Sequence, residues 1–136
     1  MIKREQYVIA GKNVEIQQFG AVQGWKLLRK ITSVVGPAMG KGSVDAGMAV
    51  DMLFQKLPEA ELINLLKKLT QFVWVEGQPI NFEVDMVVGQ FSADLITEVL
   101  KLNFEEFFLT IKDKLVGLIQ EVSNMETSLD RAVEAA

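Results

Sequence analysis

The segment GPAMGKGS, residues 36–43, comes nearest to a reactive motif in this chain. A phosphate-binding loop needs Gly, four residues, then Gly-Lys-Ser/Thr, so that backbone N–H groups and the lysine converge on phosphate. Here Gly36 and Gly40 stand one residue too close, and Gly42 rather than a hydroxyl residue follows Lys41. The segment also follows a helical pattern, not a strand. Carboxylate pairs occur at Glu59/Glu61, Glu83/Asp85 and Glu105/Glu106. Each has a capping or loop explanation, and none comes with a second group that could act as its catalytic partner. The chain has no histidine and no cysteine. That removes the commonest general base, the commonest metal ligand, a thiol nucleophile and a disulfide scaffold. The expectation is a non-enzyme with no metal and no cofactor.

Charge is the next possible source of function. Lys26, Arg29 and Lys30 share one face of a helical stretch, where a solvated surface is the ordinary explanation. Nucleic-acid binding favours a domain that is basic overall, whereas this chain carries a net charge of −4 and a pI near 4.9. The charge is unevenly placed. Residues 1–42 hold seven Lys/Arg and two acids, and the remainder holds seven bases and sixteen acids. Such asymmetry points to a charged partner, including a second copy of the chain, with Lys26, Arg29 and Lys30 as the basic contact face.

These side chains need elements to position them. At 136 residues, 49% of them hydrophobic, the chain is sized and composed for a single globular domain over 1–136. No apolar run matches a signal peptide or the roughly 20 residues of a membrane span, so a soluble cytosolic protein is expected. In QYVIAGKNVEIQQF, alternation at Tyr7/Ile9 and Val14/Ile16 around AGKN predicts a hairpin. A two-stranded hairpin is marginal alone and should lie on helices. Gly24, Leu27, Leu28, Ile31, Val34 and Val35 predict a helix from Ala21 to Val35, ended by Gly36 and Pro37. Ser43 is placed to cap a second helix with Met48, Ala49, Met52 and Leu53 on one side, ending near Leu57. A third helix starts at Pro58, buries Leu62, Leu65, Leu66 and Leu69, and carries Glu59 and Glu61 early and Lys67 and Lys68 late, as its dipole favours. The apolar flanks of Glu76-Gly77-Gln78-Pro79 allow a second short hairpin.

Ser92 is placed to cap a helix that buries Leu95, Ile96, Val99 and Leu100. Asn103, with Glu106 three residues on, resembles a capping box and predicts a fresh helix start at LNFEEFF, residues 102–108. Phe104, Phe107 and Phe108 would anchor that last helix in the core. Beyond Val122 its stripe thins to Met125, Leu129 and Val133, so residues 123–136 fray or present these three side chains to a partner. Trp25 lies off the stripe of the first long helix and is expected to meet the hairpin or a partner. The expected fold is mainly α: about five helices, a small N-terminal β-hairpin and room for a second short one.

Three segments in this order are similar to the tail assembly chaperones of long-tailed bacteriophages. They are YVIAGKNVEIQQFGAVQGWKLLRKITSVVGPAM, then VEGQPINFEVDMVVGQF, then the helix leading to LNFEEFF, together covering about residues 6–108. The resemblance implies a non-enzymatic role in viral morphogenesis. Such chaperones hold the long helical tape measure protein, recruit the tail tube protein, often self-associate, and leave before the virion is complete. It therefore implies the host cytoplasm as location. It carries no catalytic residues to transfer. Readings from other classes are a small helical DNA-associated or regulatory phage protein using Lys26, Arg29 and Lys30, and a structural tail-completion subunit. Added ATP or GTP is expected to leave the melting temperature unchanged; a rise of several degrees would contradict the spacing argument against a phosphate site.

Overall fold

The computed structural model describes residues 2–39 and 45–110. β1 (Arg4–Ile9) and β2 (Lys12–Gln17) form the expected hairpin. Their pairing runs from Arg4↔Gln17 to Ile9↔Lys12, which leaves Ala10 and Gly11 as a two-residue turn. Both turn residues have positive φ, 48° and 79°, matching the type I′ geometry that follows the right-handed strand twist. The predicted second hairpin is built the same way. β3 (Val73–Val75) pairs with β4 (Gln78–Pro79) across Glu76 and Gly77, at φ 50° and 79°.

The two hairpins are joined, which the sequence pattern does not show. β2 pairs antiparallel with β3, Val14 against Val75 and Ile16 against Val73, giving one sheet in the order β1-β2-β3-β4. The Glu76 side chain helps the join, because its Oε1 accepts from the Asn13 N–H at 2.9 Å. Ile9, Val14, Ile16, Val73 and Val75 are buried beneath the sheet, while Val8 stands exposed on the other face. Tyr7 is half-buried, and burial, with Glu5 and Glu98 nearby, raises its phenol above the ordinary value.

The helices cover the inner face of the sheet. α1 is Ala21–Met39, α2 Ala46–Lys56, α3 Glu59–Leu69 and α4 Phe82–Asp85; α5 occupies 90–110, the last of the described residues. Leu27, Leu28, Ile31 and Val35 of α1, Ala49 and Leu53 of α2, Leu65 and Leu69 of α3, and Leu95, Ile96, Val99 and Leu100 of α5 share one core with the strands. Phe19, between β2 and α1, meets Phe72 edge to face at 5.9 Å.

Four local expectations are corrected. First, α1 does not stop at Val35 but passes through Gly36 and Pro37. Proline forfeits one ladder bond, but it sits in the final turn, where Val35 is fully buried and Ala38 packs on the core. Second, the cap of α2 is Asp45, whose Oδ1 accepts from Met48 N–H at 2.8 Å; Ser43 lies outside the described residues. The register this sets turns Met48 outward and buries Ala46 and Val50. Third, Ser92 lies inside the first turn of α5, its hydroxyl reaching back to the Gly89 carbonyl at 2.9 Å. Fourth, Asn103 begins no helix. It sits within α5, where its Nδ2 donates to the Val99 carbonyl and its Oδ1 accepts from the Phe19 N–H, each at 2.9 Å.

Asn103 thus ties α5 to the β2–α1 junction. Replacing it with Ala leaves the half-buried Phe19 N–H without its partner, a loss of about 1–3 kcal/mol. Urea denaturation of Asn103→Ala should show it. At the first turn, Ala10→Asn should add up to ~1 kcal/mol, since asparagine tolerates positive φ better than alanine. Gly11→Ala should cost a similar amount, through backbone strain alone, as a Cβ there meets nothing within 4 Å.

Candidate protein-binding surface

On one side, the N-terminal turns of α1 carry small residues. Gly20 accepts the first helical bond, from Gly24 N–H at 2.8 Å, and Ala21 and Gly24 follow on the side facing α5. Their lack of bulk leaves a shallow hollow of about 190 Å³, walled by Trp25, Leu28, Phe104 and Phe107. Trp25 stands edge-on to Phe107, with ring centroids 6.2 Å apart and planes at 89°. Phe107 in turn packs edge to face on Phe108 at 6.1 Å. A chain of aromatic contacts therefore runs from the core to the surface.

Along that chain the three phenylalanines part company. Phe104 and Phe108 are buried in the core, whereas Phe107 is half-buried at its rim. Trp25 is 65% exposed and Val22, one turn earlier, is 71% exposed. Single exposed apolar residues are ordinary. An exposed tryptophan beside an exposed valine and an open apolar hollow is the composition of a protein contact, where aromatic anchors supply most of the affinity. Trp25 meets α5, not the hairpin.

A second groove, of about 240 Å³, lies between α1 and α3. Lys26 and Lys30 line it together with Lys68, which the sequence pattern had placed only as a helix-end charge. Lys30 is already engaged, its Nζ 3.2 Å from Glu61 Oε2. Arg29 is exposed but is not part of the groove lining, so the structure divides the expected trio. Of the carboxylate pairs, Glu83/Asp85 contributes a cap. Asn81 and Asp85 bracket α4 reciprocally, the Asn81 side chain accepting from Val84 N–H and Asp85 Oδ2 accepting from Asn81 N–H at 2.8 Å. Glu105 and Glu106 are exposed in mid-helix, not at a helix start. Among the described residues, no group of three acidic, His or Cys side chains is placed to hold a metal, and no helix is long and apolar enough to cross a membrane. Met125, Leu129 and Val133 lie outside the described residues.

A family model described as phage tail assembly chaperone protein matches residues 10–120, most of the chain. The chain belongs to the phage tail assembly chaperone family. No curated protein and no solved structure matches it. Membership places both surfaces on a protein of tail assembly and agrees with the resemblance carried by the hairpins and LNFEEFF. The matched span includes Val22, Trp25 and Phe107 and also Lys26, Lys30 and Lys68. Trp25 and Trp74 are the only tryptophans. Acrylamide is expected to quench Trp25 strongly and Trp74 less, because the Arg4 guanidinium lies 4.7 Å above the Trp74 ring. Fluorescence of Trp74→Phe against Trp25→Phe separates the two.

Proposed function

We propose that this chaperone keeps the tape measure protein soluble and helps recruit tail tube subunits, without catalysis. It acts in the host bacterial cytoplasm and is absent from the finished virion. The observation that carries this reading is the Val22–Trp25–Phe107 surface beside an open apolar hollow. A long helix-former awaiting assembly carries apolar stripes that have nothing to bury them. A matching apolar surface lowers that cost by about 25 cal/mol for each Å² covered. A hollow between two helices suits an amphipathic helix, with Trp25 and Phe107 as anchors. Met125, Leu129 and Val133 form a second proposed contact on the same partner. The chaperone also associates with itself, supported by the basic residues 1–42 and the acidic remainder, a contact that salt would screen.

Co-expression with the tape measure protein tests the reading. Trp25→Ala removes an exposed ring, so the melting temperature should hold while the amount of soluble partner falls several-fold, as expected for an aromatic anchor. Deleting residues 123–136 should also lower it. If both variants keep the partner soluble as well as the intact chain does, neither surface serves it and the reading fails.

A further inference from the structure

The two edges of the sheet are treated differently. β4 is two residues long and contains Pro79, the usual way to blunt an edge. β1 is six residues long, has no proline, and among the described residues nothing pairs with its outer side. The two-residue turn makes Ile9–Lys12 the closing hydrogen-bonded pair. Alternation then points the N–H and C=O of odd-numbered residues at β2, as the Lys3 carbonyl confirms by accepting from Gln18 N–H at 2.8 Å. Those of Arg4 and Gln6 point outward to the free edge.

The side chains along this edge are self-complementary. Lys3, Glu5 and Tyr7 point to the inner side, where they line a groove with Glu98, Lys101, Glu105 and Glu106 of α5. We infer that β1 is an interaction edge for a second copy of this chain, the two β1 strands pairing antiparallel about a two-fold axis at Arg4. In that register Lys3 of each copy lies opposite Glu5 of the other, and enters a groove in which acids outnumber bases. Opposite charges directly across a strand pair stabilise it, and like charges oppose it. Slipping the strands by one step of the pleat would set Glu5 against Glu5, so charge selects the register. The two Arg4 side chains meet at the axis on the outer face, but each is drawn away from it. Arg4 lies 3.3 Å from Glu15 and 4.7 Å from the Trp74 ring centroid, both on the strands behind. The contact is isologous and closes as a dimer. It joins two four-stranded sheets into one.

Sedimentation of the purified full-length chain over a range of concentrations tests this without any tail protein, so its outcome is independent of whether the chain holds the tape measure protein. A concentration-dependent dimer is expected. Gln6→Pro removes an outward N–H without touching the β1–β2 ladder, and should abolish that dimer while the circular dichroism spectrum holds. Lys3→Glu and Glu5→Lys should each raise the dissociation constant about tenfold, since each sets like charges opposite at both symmetry-related positions. Mixing those two variants, or combining them in one chain, restores unlike pairs and should restore the dimer. A monomer at every concentration overturns the inference. So does a dimer indifferent to Gln6→Pro, or a loss in the charge variants that mixing does not repair.

Discussion

Much of this structure depends on one side chain placed between two distant parts of the chain. Asn103 donates to a carbonyl of its own helix and accepts the N–H of Phe19, 84 residues earlier. A buried or half-buried N–H needs an acceptor, and among the described residues no strand pairs with the β2–α1 junction at that point. The amide fixes how far along α5 the junction sits. From that register follow the burial of Phe104 and Phe108, the position of Phe107 at the rim, and the contact of Phe107 with Trp25. The apolar hollow exists because Gly20, Ala21 and Gly24 face this fixed part of α5 with almost no side chain.

How much of this could be seen in the residues alone varies with the range of the interaction. Both hairpins were legible, because AGKN and Glu76-Gly77-Gln78-Pro79 are local signals, although pairing narrows each turn to two residues, Ala10-Gly11 and Glu76-Gly77. So was α3, with Glu59 and Glu61 early, Lys67 and Lys68 late, and Leu65 and Leu69 on its buried side. Their fusion through β2 and β3 was not, since nothing local relates Val14 to Val75. The same applies to Asn103. Followed three residues later by Glu106, it has the local pattern of a helix start, and only the distant Phe19 N–H gives it another use. Pro37 misled for a related reason, as packing of Val35 and Ala38 outweighs its local preference to end a helix. At the surface, Trp25 stood out because it lies off the stripe of α1. Its neighbour Phe107 did not, because helical spacing cannot tell a core position from a position at the core's rim.

The surfaces sit on rigid supports. Trp25 and Val22 stand on a 19-residue helix, and the basic groove is framed by the same helix and α3, with the Lys30–Glu61 contact across it. An exposed ion pair of this kind contributes little to stability. Its effect here is to offset one positive charge in the groove, leaving Lys26 and Lys68 as its main field. The strand-edge groove adjoins the apolar hollow, sharing Gln18 and Asn103 with it, and the basic groove shares α1 with that hollow, an arrangement suited to a protein of the tail assembly chaperone family, whose work is contact with other chains.

The β2–β3 pairing also has a temporal side. Its partners lie about 60 residues apart in the chain, with α1, α2 and α3 between them. Contacts of such separation form late, because the intervening loop must close before they yield anything. During synthesis the first hairpin emerges long before Val73, and a two-stranded hairpin is barely stable alone. The core under the sheet therefore cannot be completed until β3 has left the ribosome, and the nascent chain spends that interval with the inner edge of β2 bare.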